Sequence, residues 1–267
     1  MYDLLVKHHE YQGSERTVRR YIQQRKAELV EQQSVEAALP LEAVKGTAQV
    51  DFGKAPFKRN GETVDLPFLV MSFPAANTFY FQVFPSENAE CLLEGMQRIF
   101  QRLQSVPKVI RFDNLSPAVR KIKPFGEREL TDMFERFVLH YGFQYEFCNP
   151  GKGNEKGHVE SMVKYIRNNF FLPAQSADNL ADLNERCFQF AEKDRQRVHY
   201  KFGHLLSELH EETIQSHLAL PPKTFYCARY LEAKADKKGM IQFETNYYST
   251  SPKYATQRVY VEVTHDK

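Results

Sequence analysis

The sequence predicts an α/β fold, a mixed five-stranded sheet with flanking helices, and three observations carry that expectation. First, three β-rich runs follow one another, Thr47 to Gly53, Thr63 to Phe73 and Thr78 to Phe84, with turn signals at Asn60-Gly61 and Asn77 between them. Second, three later segments place apolar residues at i, i+3, i+4 and i+7, the spacing of core-facing helices. Third, two short apolar runs, Lys108 to Asp113 and Phe143 to Phe147, separate those helices. Three strands followed by helix, strand, helix, strand, helix make an antiparallel meander extended by helical crossovers. In such a sheet the first and fourth strands can lie side by side.

Taken in order, the chain opens with an apolar patch, Leu4, Leu5 and Val6, and a turn at Gly13, after which Ser14 is placed to cap a helix. Residues 14–26 carry Arg16, Arg19, Arg20, Arg25 and Lys26 against Glu15 alone, a local excess of +4. Helix, glycine turn and basic helix outline a helix-turn-helix with a recognition helix, although a solvated charged helix has the same pattern. A DNA-binding unit of this kind has a further helix ahead, so the module reads as truncated. Residues 30–45, polar and containing Pro40, read as a linker.

After the three strands, Ser86 opens a helix whose stripe is Ala89, Leu92, Leu93, Met96, Phe100 and Leu103. A helix over 128–141 places Leu130, Met133, Phe134, Phe137, Val138 and Tyr141 on one face, and Gly142 closes it. A polar, glycine-rich loop from Asn149 then leads into a helix striped by Val159, Met162, Val163, Ile166 and Phe170. Glu160 lies at the edge of that stripe on its first turn, with Lys164 and Arg167 following on the same side. Residues 178–198 form a charged helix, 199–220 a helical and linker stretch, and Pro221-Pro222 marks a boundary. Beyond it the alternation predicts a small β-barrel-like domain that stops shortly after a strand, again as if truncated. The expected organisation is 1–45 partial helix-turn-helix and linker, 46–175 catalytic core, 176–220 helical linker, and 221–267 β-domain.

Composition narrows the function classes. A formal charge of +2 over 267 residues makes any nucleic-acid surface local rather than global. No apolar run is long enough to cross a bilayer, and the polar N-terminus has no secretory core. Cys91, Cys148, Cys187 and Cys227 are far apart without a CxxC pair, which fits a reducing, cytoplasmic setting and argues against a zinc knuckle. Nor do His204, His210 and Cys227 have zinc-site spacing. Asp132 and Glu135 sit on the polar face of their helix.

The chemistry-bearing pattern is three carboxylates on separate elements: Asp51 and Asp113 at strand ends and Glu160 on a helix. Mg²⁺ is a hard cation that takes oxygen ligands and keeps waters, so a few carboxylates can hold it while phosphate completes its shell. Two such ions stabilise the attacking and leaving oxygens of an in-line displacement, with water or a DNA 3′-hydroxyl as nucleophile. Singly, Asp51 or Asp113 could be a turn residue, and Glu160 with Lys164 an ordinary i, i+4 pair. His158 could touch DNA or face solvent from the loop. Tyr247 and Tyr248 could stack on bases or pack within a strand.

The segments Val50-Asp51-Phe52-Gly53, Arg111-Phe112-Asp113-Asn114 and Lys156-Gly157-His158-Val159-Glu160 resemble the three motifs of the retroviral-integrase and DDE-transposase superfamily, and within it the IstA transposases of bacterial insertion sequences. The basic helix at Arg16 to Tyr21 is similar to the end of the IstA helix-turn-helix, and Leu220 to Val263 to its C-terminal β-domain. The resemblance implies an RNase H-like fold and a DNA transposase that cleaves transposon ends and joins them to target DNA. It implies Asp51, Asp113 and Glu160 as ligands of two Mg²⁺ ions, with Mn²⁺ as a substitute. It implies DNA contacts from Arg16, Arg19, Arg20, Lys156, Lys164 and Arg167, a homo-oligomer on DNA, and an AAA+ helper ATPase of the IstB type. ATP use would belong to that helper, because this chain has no P-loop. A catalytically idle DNA-binding remnant, or an RNase H-like nuclease that cuts without joining, are the alternatives. One departure stands out: Glu160 follows Asp113 by 47 positions, where the familiar integrase pattern leaves about 35 residues, although the chemistry constrains geometry rather than spacing. Glu146 lies nearer that spacing, but inside a strand with no helix to project it. Extra residues in the 128–141 helix and the glycine-rich loop are the expected source of the longer gap.

Overall fold

The meander begins with a tight hairpin. Strand β1 (Thr47–Arg59) and strand β2 (Glu62–Phe73) pair antiparallel across Asn60-Gly61. Both turn residues take left-handed φ, 52° and 82°, the conformation that Asn and Gly adopt at least cost and that matches the twist of a two-residue hairpin. A second turn at Asn77 leads into β3 (Thr78–Val83), antiparallel to β2. The computed structural model describes residues 12–32, 44–112, 119–122, 128–148, 153–200 and 202–266. The chain divides into two units, Met1–Leu41 and Glu42–Lys267.

In the first unit, helix α1 (Glu15–Gln32) starts where Ser14 predicts, its hydroxyl accepting the Thr17 N–H at 3.2 Å. Arg16, Arg20 and Arg25 are exposed on it and Val18 is buried. The expected preceding helix and most of the linker lie outside the described residues.

In the second unit the chain continues through α2 (Ala89–Leu103), β4 (Ser105–Val106) and β5 (Val109–Phe112). Asn88, not Ser86, caps α2, its Oδ1 accepting the Cys91 N–H at 2.8 Å. A hairpin of β6 (Val119–Ile122) and β7 (Arg128–Leu130) follows, then α3 (Asp132–Tyr141), β8 (Gln144–Phe147) and α4 (Gly153–Asn169). The sheet order is β3-β2-β1-β5-β8, with β1, β5 and β8 parallel to one another. That order and those directions are an RNase H-like sheet, and the first and fourth predicted strands are neighbours.

Two expectations need correction. Residues 128–130 extend the β6–β7 hairpin rather than α3, because Thr131 caps the helix at the Phe134 N–H. This hairpin, rather than a longer helix, fills part of the interval from Asp113 to Glu160. Helix α4 also begins at Gly153, so Glu160 is well inside it rather than on its first turn.

Strand alternation assigns the helices to opposite faces. Leu69 on β2 meets α2 at Gly95, where an added Cβ would lie 2.5 Å from Leu69 Cδ2. Phe68, the next residue along β2 and therefore on the other face, meets α4. There Phe171 lies against Phe57 and Phe68 at ring separations of 4.9 and 4.8 Å. On the first face, α3 adds Phe137 and Tyr141 against Phe100 of α2. Helix α5 (Leu180–Asp194) covers the edge strand β3, and the Asn184 side chain accepts the Val83 N–H at 2.7 Å and donates to its carbonyl at 3.0 Å. The amide side chain takes the place of a further strand, satisfying an edge that would otherwise be open to pairing. Helix α6 (Leu206–Ile214) leads to β9 (Leu218–Ala219), which pairs with β4.

The C-terminal stretch forms two two-stranded sheets: β10 (Arg229–Lys234) with β13 (Arg258–Val263), and β11 (Met240–Phe243) with β12 (Asn246–Ser249). Arg229 ties this module to α2 through the buried carboxylate of Glu90 at 2.7 Å. Arg98 and His265 add a second tie at 2.9 Å.

Candidate functional site

Asp51 is in the middle of β1, opposite Val70 of β2, and its Oδ1 accepts the N–H of Phe52 at 2.8 Å. It is half-buried, at the point where β1 passes from its paired stretch with β5 towards the hairpin. Val50 and Phe112 are registered partners in that stretch, and they are the residues that precede Asp51 and Asp113 in the chain. Asp113 itself lies outside the described residues.

Glu160 is exposed on α4, and three contacts set this helix along β1. The buried Gln49 side chain accepts the Val159 N–H at 3.1 Å. Gly53 comes so close to α4 that an added Cβ would lie 2.7 Å from Val163 Cγ1. Arg167 Nε donates to the Lys54 carbonyl at 2.9 Å. Gln49 and Gly53 thus both meet α4, and strand periodicity puts Asp51, between them, on the same face. The helix residue after Val159 is Glu160. The structure therefore brings the Asp51 face of β1 and the Glu160 segment of α4 together. Among the described residues no three His, Cys, Asp or Glu side chains converge as a metal site.

Other expected residues are placed as follows. Lys164 is exposed one turn beyond Glu160, and Arg167 is exposed while holding β1. Arg19 lies on α1 and Lys156 on α4, with their side chains outside the described residues. Glu146, the alternative at the shorter spacing, forms an ion pair with Arg111 at 2.6 Å within the β5–β8 rows. His158 is not a solvent-facing loop residue: it is inside α4, half-buried, with Nε2 3.1 Å from Asn77 Oδ1. Burial pushes its pKa down to about 4, so the ring is neutral at pH 7. Tyr247 is 68% exposed, which removes the packing reading for that side chain. The four cysteines are buried, and burial raises the Cys91, Cys187 and Cys227 thiols, so these three are packing residues rather than nucleophiles. Gln49, Gly53 and Asn77 were not legible as site residues. The one available signal was the glycine two positions after Asp51, which marks a close backbone approach in a strand.

The chain is similar to several known proteins. Residues 220–267 match the family described as Mu transposase, C-terminal domain. The transposase for insertion sequences IS1326/IS1353 of Pseudomonas aeruginosa is 26% identical over 234 residues, 86% of this chain and 45% of that protein. The transposase for insertion sequence element IS21 of Pseudomonas aeruginosa is 25% identical over 219 residues, 82% of this chain and 56% of that protein. The chain thus spans about half the length of these relatives. Among solved structures, the catalytic core domain of BIV integrase superposes with a TM-score of 0.43 and 15% identity, covering 65% of this chain and 98% of that one. Similarity to insertion-sequence transposases over most of the chain, a C-terminal match to the Mu transposase domain and an RNase H-like sheet coincide in one molecule.

Proposed function

We propose that this chain is the catalytic portion of a DDE-type DNA transposase, with Asp51, Asp113 and Glu160 as its acidic residues. The observation that carries the reading is the set of α4 on β1, through Gln49, Gly53 and Arg167, which faces the Glu160 segment towards Asp51. The parallel pairing of β1 with β5 supports the third member, because Val50 and Phe112 are partners immediately before Asp51 and Asp113. The donor chemistry fits a divalent hard cation: Asp51 and Glu160 offer carboxylate oxygens that are at least partly accessible. Two Mg²⁺ ions held there, with Mn²⁺ as a substitute, would stabilise the attacking and leaving oxygens of the displacement. Lys164, exposed beyond Glu160, would hold a DNA phosphate, with Lys156 and Arg167 extending that contact along the helix. Arg16, Arg19 and Arg20 would contribute phosphate contacts from α1.

The wider setting is part of the same proposal. The 46–175 segment is the catalytic core, 1–45 a partial helix-turn-helix and linker, and 176–220 a helical linker to the small β-domain at 221–267. Transposon ends and target DNA are the substrates, an IstB-type ATPase the helper, a homo-oligomer on DNA the working state and the bacterial cytoplasm the location. No helix among the described residues is long and apolar enough to cross a membrane. The test is Mg²⁺-dependent cleavage and joining of transposon-end DNA by wild type and Asp113→Asn. Loss of both activities with retained DNA binding is expected. Undiminished cleavage by the variant refutes the assignment, and products cut but never joined identify a nuclease instead. A wild-type chain that binds DNA but does no chemistry with its helper is a remnant.

A further inference from the structure

We infer that Gln49 is a positioning residue, whose carboxamide fixes Glu160 relative to Asp51 by holding the α4 backbone one residue before the glutamate. The inference rests on the function proposed above. Gln49 is only 7% exposed and sits two residues before Asp51 on the same strand face. Its Oε1 accepts the N–H of Val159 at 3.1 Å. Val159 is itself 2% exposed and lies inside α4 rather than at its end. An amide in a helix interior ordinarily serves only the carbonyl four residues back, so a side chain from a neighbouring strand reaching it is an added constraint. It ties helix backbone to strand at one defined height. Because the tie lies two residues from Asp51 and one from Glu160, little chain is left to flex between the two carboxylates.

Two neighbouring contacts act on other parts of the helix. Asn77 holds His158 by its ring, and Arg167 reaches the Lys54 carbonyl further along. Neither grips the backbone beside Glu160. Gln49 also occupies the same cross-strand row as Arg111 and Glu146, registered on β5 and β8. The polar row is therefore continuous across the three strands beneath the proposed site. Gln49 touches no reacting group in this role and acts only through α4.

The test compares wild type with Gln49→Met, which keeps length and bulk but has no acceptor for the Val159 N–H, and with Gln49→Glu, which restores an acceptor. Amide hydrogen exchange at Val159 and Glu160 reads the tie directly. Mg²⁺ titration of the chain by calorimetry reads its consequence without needing turnover. Asn184→Ala, which weakens the remote β3 edge, is the control for general loosening. Expected for Gln49→Met are about tenfold faster exchange at Val159 and about tenfold weaker Mg²⁺ binding, as ligand affinity falls when the supporting contact is lost. Gln49→Glu should return exchange close to wild type, and the control should change neither readout. Unchanged exchange at Val159 in Gln49→Met overturns the tie. Faster exchange with unaltered Mg²⁺ binding reduces Gln49 to a packing residue and overturns the positioning role. If wild type itself binds no Mg²⁺, the proposed function fails with it, whereas the first two failures leave that function standing.

Discussion

Substituting Gly53 by alanine places a methyl group where two side chains already are. The new Cβ would lie 2.5 Å from Phe68 Cζ and 2.7 Å from Val163 Cγ1, where carbon atoms at rest sit about 3.5–4.0 Å apart. Phe68 is fully buried and pinned by the Phe171 ring at 4.8 Å, and Val163 is 9% exposed on the inner face of α4. Neither has open space to rotate into, so relief requires β1 and α4 to separate by about 1 Å, an overpacking cost of about 1–3 kcal/mol. Alanine's smaller unfolded-state entropy offsets about 0.4–1 kcal/mol of this. At mid-range values the net loss is about 1.3 kcal/mol, or about 3–5 °C in Tm for a domain of this size. The chain has no tryptophan, so urea unfolding followed by far-UV circular dichroism is the direct assay. Val163→Ala removes one of the three clashing atoms, the other two being on Phe68, so the double variant should recover about 0.5–1.5 kcal/mol relative to the sum of the single effects. Because α4 carries Glu160, Mg²⁺-dependent cleavage should fall further than stability does, by up to about 100-fold for a displacement near 1 Å. A Gly53→Ala variant as stable as wild type, or strict additivity with Val163→Ala, would refute the reasoning.

His210 gives a pH dependence of definite sign. It is 2% exposed, with Nδ1 2.8 Å from Thr78 Oγ1, and burial together with the charges of Arg195 and His217 lowers its pKa to about 3. The unfolded chain protonates it near 6.5, so its contribution is intact above pH 6.5 and is lost as pH falls towards 4, at about 1.4 kcal/mol per unit. The stability advantage of wild type over His210→Gln should therefore shrink across that window in urea melts, and a pH-independent difference would contradict the buried neutral ring. At the β3 edge, Asn184→Leu should cost about 2–3 kcal/mol by stranding the Val83 N–H and carbonyl. Unchanged amide exchange at Val83 would show that this edge is satisfied in another way.

Much of the fold is local and was therefore legible. Asn60-Gly61 can form only a narrow set of turns, the 3.6-residue stripe of 89–103 has one buried face, and Gly142 ends a helix with left-handed φ of 74°. The β6–β7 hairpin was missed because Leu130 is buried and continues the stripe of the following helix, so periodicity merges strand and helix into one run. The start of α4 was placed too late because glycines at 151, 153 and 157 read as loop, while a helix can carry glycine at a cost of about 1 kcal/mol each when packing holds it. The sequence leaves His158 facing solvent or DNA, and only the approach of Asn77 from the β2–β3 turn makes it a held, neutral ring.

By itself the sequence determined the order of the five main-sheet strands and the helices between them, the acidic residues at 51, 113 and 160, and the basic residues around them, since each depends on residue type and short-range spacing. The tertiary structure decided which strand faces meet which helices. It registered Val50 with Phe112, turned the Asp51 face of β1 towards α4, and set the height of Glu160 through Gln49 and Gly53. Gln49 and Val159 are 110 positions apart, and no local pattern records a hydrogen bond across that distance. A contact of that kind exists only when the sheet pairs and the core closes around both ends.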